Sequence, residues 1–229
     1  MDTINKVKSI SIWIFIVPFV AINTCLILIT NFHEIFPNKE HIIHNTIPYI
    51  DGGASISRTA RVFPTYLIFK PAMFLTAYLL IRYWLYIKKI IVNIHGEHKN
   101  LRKILIFGIG SAICLVIHSI FLGIKFDYDL YKLFRRVIML VFIIFEVVAQ
   151  AYLVVTLYSI KNKLLSFINL KFLKLKAILV SILVFVMIVS IPIVSMPGNK
   201  HIKHALEWDF FLGVISFYVL TFFMWKKQS

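Results

Sequence analysis

Acidic side chains are scarce in this chain: ten Asp and Glu stand against 25 Lys and Arg. A strongly acidic, solvating segment is thereby excluded. Cysteine is nearly absent, and Cys25 and Cys114 both fall inside apolar stretches, too far apart for a disulfide framework or a cysteine metal motif. The eight glycines and seven prolines build no phosphate-cradling loop, Walker sequence or G-x-S-x-G elbow, so nothing supports NTP-driven work. The chain also lacks an N-x-S/T sequon, a lipidation box, a low-complexity segment and the internal repeat of an inverted-repeat transporter.

Long apolar runs take the place of these features. The 229 residues are 60% hydrophobic, with a mean hydropathy of +0.86. A soluble domain of this composition could not cover itself with polar surface, so lipid is the expected solvent. Six stretches approach the ~20 apolar residues that cross a ~30 Å hydrocarbon layer. They run from Ser9 to Thr30, Arg61 to Ile87, Ile104 to Ile124, Val137 to Tyr158, Ala177 to Val194 and Ala205 to Trp225. Being continuous rather than alternating, they are read as helices, which satisfy their own backbone in lipid. The expected fold is all-α: a single membrane domain over residues 1–229, a bundle of six transmembrane helices. The longest connection, residues 31–60, is expected as an outer loop folded onto the membrane surface. Lys6 and Lys8 precede the first stretch, which has no obvious cleavage site and reads as a retained signal anchor.

The net charge of +15 is unevenly distributed. With a cytoplasmic N-terminus, the cytoplasmic segments hold 14 Lys and Arg against Asp2 and Glu97, and the opposite face holds nine against seven acids. The positive-inside rule therefore expects both termini in the cytoplasm. Topology accounts for the charge without nucleic acid, and the basic face would attract anionic headgroups. High Ile, Lys and Asn content does not separate a bacterial plasma membrane from a eukaryotic endomembrane.

Two ionisable residues lie well inside spans, Lys70 and Glu146, nine residues below Arg61 and ten below Arg136. At ~1.5 Å per residue both are ~14 Å deep. Burying either alone costs ~3 kcal/mol or more, so an ion pair is the natural expectation. Such a pair could fix helix register or mark a polar pocket open to the outer leaflet, and separate charges facing water are the remaining reading. Candidate metal ligands gather on the same side: His33, His41, His44 and Asp51 in the outer loop, His118 near the outer end of the third span, then His201, His204, Glu207 and Asp209 around the sixth. His118, His201, His204 and Glu207 form the candidate zinc set, although the H-E-x-x-H pattern is missing. Surface histidines beside headgroups are the plainer reading. Trp13, Tyr83, Trp84, Tyr86, Trp208 and Trp225 are expected as interfacial anchors. Gly108, Gly110, Ser111 and Ala112 are expected to form a close helix-packing surface.

Ile47-Pro48-Tyr49-Ile50-Asp51-Gly52-Gly53 resembles the P-Y-I-S-D-T-G signature of the DRAM/Sfk family, without its Ser and Thr and with a second Gly. This PYIDGG segment follows the first span, as the signature does in that family. Ala205-Leu206-Glu207-Trp208 is similar to the Glu-aromatic pair that opens the family's last span. The family includes FGF-receptor-activating-protein-like factors and the N-terminal domain of cell-wall/GPI-anchor remodelling proteins. The resemblance implies six spans, cytoplasmic termini and a role with GPI- or ceramide-type lipids at the outer or lumenal leaflet. It brings no agreed catalytic residues, only Asp51 and Glu207 as signature positions. Asp51 has a plain alternative as an Asx-turn residue.

The resulting expectation is a lipid-handling protein without soluble catalytic machinery or cofactor, whose partners are membrane lipids. Its polar pocket would use Lys70, Glu146, His118, Asp51 and Glu207, with Lys70 holding an anionic group. The alternatives are a zinc-assisted lipid hydrolase or transacylase, and a small proton-coupled transporter.

Overall fold

Each apolar stretch is helical, and most of the helices run past the expected ends. A computed structural model describes residues 2–124, 128–196 and 198–226, with the side chains of 132, 194 and 195 left out. Helix α1 spans Asp2–Asn31 and begins seven residues early, where Asp2 sits in its first turn and pairs with Lys6 one turn on. The connection after α1 is structured. Two short 3-10 turns, His33–Ile35 and Lys39–His41, lead to α2 (Pro48–Asp51) and α3 (Ile56–Ala60). Pro48 takes the first position of α2, where its missing N–H costs nothing, and Gly52 ends that turn with φ +59°. Ser55 caps α3, its Oγ accepting from the Arg58 N–H at 3.2 Å.

Helix α4 covers Tyr66–His95 instead of starting at Arg61, because Pro64 disfavours helical geometry at Phe63 before it. Helices α5 (Leu101–Phe121) and α6 (Asp129–Ser159) follow. A single turn, α7 (Lys161–Leu164), leads to α8 (Leu170–Ser195), which is capped by the Asn169 side chain. The last helix is α9 (Lys200–Met224). Ile168 bridges to Trp225 in antiparallel fashion, joining the start of α8 to the end of α9.

The six long helices form a closed ring. Each packs on the next in the order α1, α4, α5, α6, α8 and α9, and α9 returns to α1. Small residues let α5 approach both neighbours: a Cβ on Gly108 would meet the Trp84 ring at 2.5 Å, and one on Gly110 would meet Phe145 at 2.8 Å. Outward faces remain apolar. Along α8, Ile178, Ile182, Phe185 and Val189 are exposed at helical spacing. Five of the long helices are long and apolar enough to cross a membrane. Helix α4 has the length but carries Lys70, Arg82, Lys88 and Lys89. These helices fit an integral, multi-pass membrane protein.

Several residues expected at the interface are in the core. Tyr83, Trp84, Trp208 and Trp225 are fully buried, whereas Trp13 is 52% exposed. Lys176, just before the fifth apolar stretch, is also 0% exposed.

Candidate functional site

Two polar regions lie on the inner faces of the ring. The first joins α9 to the connection between α1 and α4. His201, His204 and Trp208 recur three and four residues apart, which puts them on one face of α9. They meet successive backbone carbonyls: His201 Nδ1 donates to Asp51 O at 3.1 Å, His204 Nδ1 to Gly52 O at 2.9 Å and Trp208 Nε1 to Ala54 O at 2.8 Å. Tyr49 packs edge-on against Trp208, with ring centroids 4.9 Å apart, and its hydroxyl donates to Asn23 Oδ1 of α1 at 3.1 Å. Asp51 closes its own turn. Its carboxylate accepts from Thr46 Oγ1 at 2.7 Å and from the N–H groups of Ile47 and Gly53, each at 2.8 Å. Those three donors hold its pKa below the ordinary carboxylate value. The Asx-turn reading of Asp51 therefore describes its contacts.

The second region lies deeper. A cavity of about 100 Å³ opens among α1, α3, α4, α5, α6 and α9, with walls mostly of Ile, Leu, Met, Phe and Val. The ionisable side chains that line it are His118 of α5, Glu146 of α6, and Glu207 and Tyr218 of α9. Glu146 is 1% exposed and held by neutral donors: Ser111 Oγ at 2.6 Å, Gln150 Nε2 at 3.1 Å and the Tyr218 hydroxyl. Gln150 Nε2 also reaches Val214 O at 3.2 Å, tying α6 to α9. His118 is 7% exposed, and its Nδ1 has no partner among the described residues, nor has Gln150 Oε1. Glu207, half-buried, faces the backbone N–H groups of Ser57 and Ile56 in the first turn of α3.

The expected ion pair is not formed. Lys70 Nζ donates to Ile120 O at 3.2 Å and lies over the Tyr66 ring, at the edge of α5 and outside the cavity lining. Its long stem reaches a carbonyl left free near the end of α5, so its ammonium has a partner without Glu146. Of the five expected pocket residues, His118, Glu146 and Glu207 share one cavity, and Lys70 and Asp51 do not line it. The zinc set fails to converge as well. Among the described residues no three His, Cys, Asp or Glu side chains are grouped closely enough to hold a metal ion. His201 and His204 spend Nδ1 on loop carbonyls, away from His118.

Sequence reasoning missed Lys176. Its ammonium donates to Thr221 Oγ1 at 2.8 Å and sits 3.7 Å from the centre of the Phe217 ring. Thr221 lies 3.4 Å from the Tyr83 hydroxyl, and Tyr83 packs on Tyr218, the donor to Glu146. A buried lysine and a buried glutamate thus stand at two ends of one line of aromatic and hydroxyl groups. Comparison with known proteins adds no neighbour, since no family model, curated protein or solved structure matches this chain significantly.

Proposed function

We propose that this chain is a six-span membrane protein, with α4 as the remaining span and both termini cytoplasmic, that takes up part of a lipid molecule in the cavity between its helices. One observation carries the reading: a largely apolar cavity between the long helices whose few polar groups include an unpartnered, buried imidazole nitrogen. Apolar walls with a few convergent polar groups suit an amphiphile. Burial of ionisable groups inside a membrane bundle is costly enough to point to function. The likeness of the Pro48–Gly53 segment to the DRAM/Sfk signature supports a lipid of the GPI or ceramide type at the outer or lumenal leaflet. Lys70 has no part in the pocket under this reading, and Asp51 acts by shaping the segment that α9 grips.

Mass spectrometry of the full chain purified in mild detergent tests the proposal. A defined lipid should remain bound, and Leu115→Trp, which fills the cavity, should release it while the protein stays folded. Equal retention by wild type and Leu115→Trp, or no retained lipid in either, would overturn it.

A further inference from the structure

The cavity's polar wall pairs acidic side chains, Glu146 and Glu207, with no lysine or arginine among the described residues. Arg135 of α6 acts electrostatically on His118 but is not part of the lining. Each carboxyl is partly stabilised by neutral donors: Ser111, Tyr218 and Gln150 for Glu146, and the backbone of Ser57 and Ile56 for Glu207. A carboxylate in a low-dielectric cavity is best compensated by an opposite charge, and the protein provides none in the lining. The orphan Nδ1 of His118 adds a third acceptor when the ring carries its proton on Nε2.

Resting on the lipid reading above, we infer that the occupant carries a primary ammonium group on an aliphatic chain and enters the cavity head first. The ammonium has three donors and no acceptor, which matches carboxylates and an unprotonated imidazole nitrogen. Its first methylenes match the apolar wall. The space suffices: about 100 Å³ is several times the roughly 10–15 Å³ that one water needs. A phosphate or carboxylate head is rejected, because it would meet Glu146 and Glu207 without a compensating cation. The part of the lipid held in the cavity is therefore an amine, and not the phosphate of a GPI-type lipid or the acylated nitrogen of a ceramide-type one. This reverses the expectation, built on Lys70, that the pocket holds an anionic group.

The test measures the thermal unfolding midpoint of the full chain in nonionic detergent against increasing dodecylamine, dodecanol or dodecanoate. Dodecylamine should half-saturate the shift at a concentration about ten-fold below that of dodecanol, with dodecanoate weakest. Glu146→Gln and Glu207→Gln should each reduce the advantage of the amine and leave dodecanol binding in place. Because Glu146 has three donors to lose, Glu207→Gln carries the test if Glu146→Gln does not fold. Equal binding of all three, or an amine advantage untouched by both substitutions, would overturn the ammonium assignment alone. Failure of all three amphiphiles to bind would overturn the lipid reading with it.

Discussion

Helix α9 is polar in two places that behave differently. At its N-terminal end, His201, His204 and Trp208 each find one backbone carbonyl of residues 51–54, and the Asp51 carboxylate is taken up by its own turn. Further along, Tyr218 binds a carboxylate already held by Ser111 and Gln150, yet His118 Nδ1 across the same cavity is left over. The first region has donors and acceptors matched one to one, and such a surface is a fastening. The second has apolar walls, unequal donors and acceptors, and space. Buried polar groups in proteins are nearly always paired, so an imbalance beside a cavity marks capacity for a ligand.

The largest expected effect tests the fastening. Gly52 has φ +59°, and a Cβ there would stand 1.8 Å from the carbonyl oxygen of His201. Gly52→Ala must push α9 away from the segment, at a cost of about 3 kcal/mol or more. Loss of folded protein on detergent gel filtration is the expected result. Next comes Glu146→Ala, which strands the donors on Ser111, Tyr218 and Gln150 and should cost about 2–3 kcal/mol. If thermal melts showed Glu146→Ala to be harmless, the middle of α9 would lose its claim to be a tightly held polar centre.

A smaller effect separates packing from hydrogen bonding at the N-terminal end of α9. Trp208→Phe keeps a ring against Tyr49 but leaves the Ala54 carbonyl without its indole donor, a cost of about 1–2 kcal/mol. Lys176→Met sharpens the comparison from the other side, because its sign should differ. Removing a buried cation whose named partners are one hydroxyl and one ring also removes its desolvation penalty, and an apolar side chain of similar length fits the space. Unfolding should be unchanged or about 1 kcal/mol harder. A clear loss of stability would instead mean that the ammonium is coupled to Glu146 through Thr221, Tyr83 and Tyr218.

The helices were legible because continuous apolar runs of this length leave few alternatives. The pocket was legible in part, through the cost of placing Glu146 inside a span and the position of His118 near it. The pairing of Glu146 with Lys70 failed because equal depth does not determine which face of the ring a side chain occupies. Helical phase held more information than was used for Lys176. Leu173, Val180 and Leu183, at spacings of three, four and seven from it, are all buried, whereas Lys171 and Lys174 are exposed. Lys176 therefore sits on the core face despite its basic neighbours. For His201 and His204, spacing identifies a shared face but not the loop carbonyls opposite it.

The smallest effect concerns Asp51, which lies outside the long helices and is exposed. Hydrogen bonds from Thr46, Gly53 and Ile47 lower its pKa in the folded protein below the ordinary 3.8. A carboxyl lowered on folding stabilises the fold above its unfolded value, and that contribution disappears as pH falls through the folded one. Between neutral pH and about 5 the Asp51 contribution should be flat; below about 4 it should decline. Asp51→Asn keeps one acceptor oxygen for the turn but removes the titration. Melting curves of the two proteins should therefore converge as the medium becomes acidic, with wild type ahead at neutral pH by a small margin. If the wild-type advantage instead grew in acid, the carboxylate would not be the group that closes the turn, and the segment gripped by α9 would owe its shape to Gly52 and Pro48 alone.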